Sequence, residues 1–140
     1  MKKMDKKGFT LIELLAVIVI LAIIMVIAVP QILNVIENSR ESAWKSNVKM
    51  IEDGLELGKT LTTGGMSSDS FDITAVCVDS KSSVTVSDLQ KVADISAVDN
   101  DVACTGKGIL KVTGKGQFDG RGYATIDCSG TSCTTTYTAK

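Results

Sequence analysis

The sequence predicts an α+β chain in which a long N-terminal helix, hydrophobic in its first half and amphipathic in its second, packs on a small antiparallel β-sheet. Three observations predict it. Sixteen consecutive apolar residues run from Leu14 to Val29, and from Phe9 to Ile36 the only charged side chain is Glu13. Trp44, Val48, Ile51 and Leu55 then recur at steps of four, three and four, which is one face of a helix. Nearer the C-terminus, Ile109–Thr113, Tyr123–Cys128 and Thr134–Thr138 alternate between glycine-rich breaks, the pattern of an antiparallel meander.

The N-terminus comes first. Lys2, Lys3, Lys6 and Lys7 against Asp5 give the first eight residues a charge of +3, leaving 11 basic and 15 acidic groups on the rest. A basic start before an apolar run fits a secretory signal, a plain membrane anchor or a more specialised segment. A secretory signal needs small residues as a cleavage site after the apolar stretch, whereas here the run continues through Val29-Pro30-Gln31-Ile32-Leu33. Its length approaches that of a membrane-spanning helix, and the lysines before it predict a cytoplasmic N-terminus with the remainder exported. Glu13 is what a plain anchor leaves unexplained. A carboxylate carried into an apolar environment costs several kcal/mol unless paired, so it calls for a cation.

Lys7-Gly8-Phe9-Thr10-Leu11-Ile12-Glu13-Leu14, with the short basic leader and the apolar helix around it, resembles the processing motif of type IV prepilins and pseudopilins. The resemblance implies that a membrane-embedded prepilin peptidase cuts between Gly8 and Phe9 and methylates the new Phe9 amine. The cut creates the missing cation. It also implies that the Glu13 carboxylate pairs with the Phe9 amine, its own or a neighbour's, inside a bundle of packed helices where such a pair sets register. Pro30 matches the family as well, at a spacing where proline bends or locally melts the helix by removing a donor and crowding the preceding turn. One departure is the middle of the apolar segment, where many relatives carry glycine and this chain has Ala22 among β-branched neighbours. The domain division that follows is 1–8 as a cleaved leader, 9–36 as the transmembrane and assembly half of the helix, and 37–140 as an exported globular pilin domain.

The helix is expected to continue from about Thr10 to about Leu61, roughly 75–80 Å at about 1.5 Å per residue. Arg40, Glu41, Lys45, Lys49 and Glu52 cover its polar side, and Trp44 anchors helix to sheet. Residues 62–83 read as a loop, broken by Gly64-Gly65 and a Ser/Asp cluster, with a short strand at Ile73–Val78. Ser87-Asp88-Leu89-Gln90 reads as a capping box opening a short helix whose buried side is Leu89, Val92 and Ala93. In the meander, Leu110 and Val112 on one strand and Ala124 and Ile126 on the next are expected to face the amphipathic half of the helix. Gly106-Lys107-Gly108, Gly114-Lys115-Gly116 and Gly120-Arg121-Gly122 lack the spacing and strand-to-helix context of a phosphate-binding loop and read as turns.

Cys77, Cys104, Cys128 and Cys133 all fall in the part expected to be exported, which predicts two disulfides. Cys77–Cys104 with Cys128–Cys133 is favoured because neighbouring elements pair and Ser129-Gly130 makes a short turn. Cys104–Cys133 is the rival and would close the C-terminal loop onto the sheet, as in many pilins. Asp99 and Asp101 with Asn100 are weak calcium candidates, of the kind some secretion pseudopilins use near their C-terminus, and otherwise read as an acidic solvated loop.

The absence of histidine removes Ser-His-Asp and Cys-His nucleophiles, His-ligated metals and His-based pH switches. No catalytic residue and no cofactor is nominated, so the expectation is that the chain is not an enzyme. An acidic balance outside the leader argues against a broad nucleic-acid face. The resemblance therefore implies a structural subunit that polymerises through its N-terminal helices into a type IV pilus serving adhesion, twitching motility or DNA uptake. Its partners would be copies of itself, the prepilin peptidase, a membrane platform protein and an assembly ATPase. It would reside in the cytoplasmic membrane before assembly and in an extracellular filament after it. A pseudopilin of a type II secretion or competence system is the alternative, and a membrane-anchored binding module that never polymerises is a further one.

Overall fold

The computed structural model describes residues 8–66 and 71–139. Lys2, Lys3, Asp5, Lys6 and Lys7 of the leader, the Ser/Asp cluster at 67–70 and Lys140 lie outside the described residues. Helix α1 (Leu11–Thr63) has 53 residues and retains Pro30 inside it without a break in the helical assignment. It ends at Gly64-Gly65, where Gly65 takes a left-handed φ of 64° and the Met66 N–H returns to the Leu61 carbonyl at 3.1 Å. Such an end satisfies carbonyls that the last turn would otherwise leave without donors.

The chain forms two units, one ending at Asn38 and one beginning at Ser39. In the first, α1 is long and apolar enough to cross a membrane, and none of its most apolar window is buried within the chain. Phe9, Leu11 and Val26 are 90%, 83% and 75% exposed. Among the described residues these side chains stay uncovered, and an apolar surface this extensive marks a membrane or assembly surface.

In the second unit, the later turns of α1 bury Trp44, Val48, Ile51, Gly54, Leu55 and Gly58 along one face. Hydrophobic spacing alone does not mark the two glycines. A methyl group at Gly54 would collide with the Val92 carbonyl, and one at Gly58 with the Phe71 carbonyl, so loop backbone lies directly on the helix at both turns. Trp44 stacks obliquely on Phe118, with ring centroids 5.6 Å apart.

The sheet has four antiparallel strands in the order β1 (Asn100–Gly106), β2 (Ile109–Gly114), β3 (Tyr123–Asp127) and β4 (Thr134–Thr138). Leu110 pairs with Ile126 and Val112 with Ala124, and all four are fully buried in the same cluster as the α1 face. The alternation predicted this inward set. A 3-10 turn at Gly116–Phe118 joins β2 to the loop before β3. The three Gly-x-Gly triplets fall at or beside the ends of strands, as turns.

Three local readings are corrected. Ile73–Val76 is a turn of helix, α2, rather than part of a strand over Ile73–Val78, because Asp72 accepts from the Thr74 N–H at 2.8 Å and caps it. The second short helix, α3, spans Val86–Leu89 and is capped by Thr85 with Asp88, not by Ser87 with Gln90. Both registers fit the pattern, but the Gln90 amide donates to the Ile95 carbonyl at 2.9 Å and an ionised Asp88 is the stronger acceptor. Leu89 and Ala93 are buried and Val92 is partly buried against the core. Finally, Asp99-Asn100-Asp101 reads in the sequence as an acidic solvated loop, but Asn100 and Asp101 open β1. Its polar ends hide a strand that pairs with β2 from Asn100 opposite Gly114 to Gly106 opposite Ile109, with an irregularity after Cys104.

Candidate processing and assembly site

Gly8, Phe9 and Thr10 precede the first helical residue and adopt no regular structure. They are exposed, and a methyl group at Gly8 would meet nothing within 4 Å. The peptide bond between Gly8 and Phe9 therefore lies in open, non-helical chain. A peptidase can take up such a segment without first unwinding a helix.

Immediately after it, Thr10 and Glu13 form a reciprocal cap at the head of α1. The Thr10 N–H and the Thr10 hydroxyl both donate to Glu13 Oε2 at 2.9 Å, and the Glu13 N–H lies 3.4 Å from the Thr10 hydroxyl oxygen. The Glu13 and Leu14 N–H groups bond the Thr10 carbonyl at 3.1 and 3.2 Å. This arrangement satisfies helix donors that have no partner one turn earlier, and a carboxylate there also favours the positive end of the helix dipole. Thr10 lies outside the site residues that the sequence resemblance implies. Its signal was in the sequence all the same: Thr-x-x-Glu directly before an apolar run is a capping box. The geometry places a carboxylate, held by two bonds on one oxygen, within a turn of the residue whose amine a cut after Gly8 would release.

The remaining nominated residues lie in the globular unit, apart from Pro30, which sits within α1. Cys77 is bonded to Cys104, with Cα atoms 5.4 Å apart, and Cys128 to Cys133, at 4.2 Å. The first joins the end of α2 to β1 and the second closes the β3–β4 turn. The Lys59 amine crosses from α1 to that turn, donating to the Cys128 carbonyl at 2.6 Å and to the Gly130 carbonyl. Asp99 and Asp101 are not brought together on a common point. Asp99 accepts from the backbone and side-chain N–H groups of Gln117 at 3.2 and 2.9 Å, and Asp101 pairs with Lys115 at 3.2 Å. Each calcium candidate is thus engaged within the fold.

Several surface groups are tuned by their own turns. The Thr85 hydroxyl, followed by its backbone N–H, holds the Asp88 carboxyl below the usual aspartate range. The Ser129 hydroxyl and N–H do the same for Asp127. Glu41, by hydrogen bond and charge, raises Lys45. None of these groups is arranged around a reacting position.

Against known families, residues 3–29 match the family described as the prokaryotic N-terminal methylation motif, the class III signal peptide of type IV pilins. No curated protein and no solved structure matches the chain. The fold, a long N-terminal helix followed by a four-stranded antiparallel sheet, fits the type IV pilin-like arrangement. The motif supports a prepilin-like substrate of the type IV pilin and pseudopilin kind.

Proposed function

From a prepilin methylation motif at the head of an apolar helix, we propose that this chain is a pilin: a structural subunit that polymerises into a type IV pilus-like filament on the cell surface. The single observation that carries this reading is the segment from Phe9 to Val35, whose side chains are almost all exposed and whose only carboxylate is Glu13, fixed by Thr10. Before assembly that surface is covered by lipid, with the N-terminus on the cytoplasmic side and the globular unit exported. In the filament it is covered by the same surface of other copies.

On this reading the prepilin peptidase removes residues 1–8 and methylates Phe9. The Phe9 ammonium and the Glu13 carboxylate neutralise one another between helices, which lets the apolar half leave the membrane without an unpaired charge. Residues 9–36 form the assembly segment, Pro30 gives it a point of bending, and residues 37–140 form the exported domain. A platform protein and an ATPase at the membrane drive extrusion. Adhesion, motility or DNA uptake are the uses such a fibre serves. The pseudopilin alternative gains no support from Asp99 and Asp101, which are held by Gln117 and Lys115.

Intact mass and N-terminal sequencing of protein sheared from cells test the reading. A chain beginning at N-methylated Phe9 in high-molecular-weight fibres is expected. An unprocessed Met1 confined to the membrane fraction would overturn it in favour of an anchored module.

A further inference from the structure

The outer face of the sheet carries a cleft in which several polar groups have no polar partner in the fold. It lies where the loop before β3 returns past the end of β2, holds about 170 Å³, and is lined by Lys111, Thr113, Asp119, Gly120, Gly122 and Tyr123. Strand alternation puts Lys111, Thr113 and Tyr123 on the face opposite buried Leu110, Val112 and Ala124. Thr113 stands directly across from Tyr123, and the Lys111 ammonium sits 4.0 Å from the centre of the Tyr123 ring.

The Asp119 carboxylate, the Thr113 hydroxyl and the Tyr123 hydroxyl have no hydrogen bond or ion pair among the described residues. Elsewhere the carboxylates of exposed Asp79 and of half-buried Asp88, Asp99 and Asp127 accept from groups of the chain itself. Gly120 and Gly122 take φ values of 80° and 84°, and a methyl at Gly120 would meet nothing within 4 Å, so the lip of the cleft is bare backbone. Residues that bear an aromatic ring, one ammonium, one carboxylate and two hydroxyls thus line a small open space.

The charges decide the class of ligand. Lys111 and Asp119 cancel, which gives neither a polyanion nor a cation an advantage. A donor, an acceptor and hydroxyls that serve as both instead match a ligand whose own groups are hydroxyls. The volume is below the ~300 Å³ at which sites for drug-sized ligands begin, so it takes one ring, with open ends for a chain. We infer that this cleft binds one pyranose ring of an uncharged polysaccharide. A cation over an exposed ring is held weakly, so the Lys111 ammonium gives up the ring face to the apolar face of the sugar and donates to its hydroxyls. Asp119 accepts from a pair of hydroxyls, and Thr113 completes the set.

This deepens the pilin reading by naming what the surface of a fibre touches, and it rests on that reading only for its role in the fibre. The test is made on the purified full-length chain in detergent micelles, where polymerisation is not required. Maltotriose, cellotriose and triacetylchitotriose are titrated, with trigalacturonate as the charged control, followed by saturation-transfer NMR. At least one neutral trisaccharide is expected to bind at about millimolar strength or better. Tyr123→Ala and Asp119→Asn each weaken it at least about tenfold, since a hydrogen bond to a charged group and an aromatic contact are each of that order. Thr131→Ala, outside the cleft, leaves it unchanged. Asp119 is exposed, so Asp119→Asn keeps the fold and reads the site even where Tyr123→Ala does not. Absence of binding by all three neutral probes, equal binding by Asp119→Asn, or preferential binding of trigalacturonate that strengthens as salt falls would overturn the assignment. A Met1 terminus on cells with intact sugar binding would remove the filament and leave the site standing.

Discussion

The Lys59 amine donates to the Cys128 carbonyl at 2.6 Å, joining the last turns of α1 to the turn that the Cys128–Cys133 disulfide closes. The same amine reaches the Gly130 carbonyl. Both disulfides lie beyond α1, so no covalent bond other than the chain itself ties the helix to the sheet. Lys59 is a polar latch between them, alongside the Thr135 hydroxyl, which donates to Glu52 at 2.7 Å.

Lys59→Met keeps the length of the stem and removes the latch. The expected loss is about 1.5–3 kcal/mol, the range for a hydrogen bond to a charged group. For a unit of this size each kcal/mol lowers the melting midpoint by roughly 4–8 °C. Thermal denaturation of the oxidised protein, followed by near-ultraviolet circular dichroism, measures it; an unchanged midpoint would show that the latch carries no stability.

Gly54→Ala forces a methyl group against the Val92 carbonyl, where backbone rather than a flexible side chain must give way. Overpacking of this kind costs about 1–3 kcal/mol, which outweighs the better helix propensity of alanine, about 1 kcal/mol. Leu57→Ala, at a side chain 59% exposed, is the control and should stay within about 0.5 kcal/mol of the parent. Denaturant midpoints compare the two, and a Gly54→Ala protein as stable as the control would mean that the loop over the helix yields freely.

Thr10→Val preserves shape at the head of α1 but removes the hydroxyl that holds Glu13. Loss of an N-cap is worth about 1 kcal/mol, too little to prevent membrane insertion or cleavage. Processing should continue while the yield of sheared filaments falls several-fold. Glu13→Gln should also be processed, yet enter filaments poorly. Immunoblots of cell and sheared fractions read both steps, and a normal filament yield from Glu13→Gln would remove the proposed pairing with the Phe9 amine.

The pH dependence follows from surface turns. Asp88, held by Thr85, Asp127, held by Ser129, and Asp79, held by the Lys81 N–H and the Ser82 hydroxyl, all lie below the ordinary value of 3.8 in the folded chain. Between the folded and unfolded values the unfolded chain binds more protons, so stability rises with pH there. Their contribution is complete above 3.8 and is lost as pH falls through the lower folded values. Lys45 and Lys49 are raised above 10.5 by Glu41 and Asp53, and their contribution is lost as pH rises through the folded values. Melting midpoints should therefore be level through the neutral range and fall at both extremes. A midpoint that climbs on acidification below 3.8 would contradict the assignment of these caps.

Much of the fold is legible in the chain because its signals are local and repeated. A run of apolar residues from Leu14 to Val29 and a helical period through Leu55 give α1 to within two residues at either end. Strict alternation locates β2, β3 and β4 and names the inward residues Leu110, Val112, Ala124 and Ile126. The motif around Gly8, Phe9 and Glu13 likewise lies in consecutive residues. Short elements with polar ends are another matter: Ile73–Val76 has enough β-branched character to read as strand, and Asn100-Asp101 at the start of β1 reads as loop. A single capping bond decided the first and pairing with β2 decided the second.

By itself the sequence determined the two-part plan: an apolar helical segment bearing a single carboxylate, and a small cysteine-bearing domain beyond it, because hydrophobic periodicity and charge are properties of neighbouring residues. Only the tertiary structure decided which loop backbones press on Gly54 and Gly58, that Lys59 reaches across 69 residues to Cys128, and that Asp99 and Asp101 are taken by Gln117 and Lys115. The physical reason is that a polar group's partner and a backbone's closest approach are set by chain segments distant in sequence, and no local period records where those segments return.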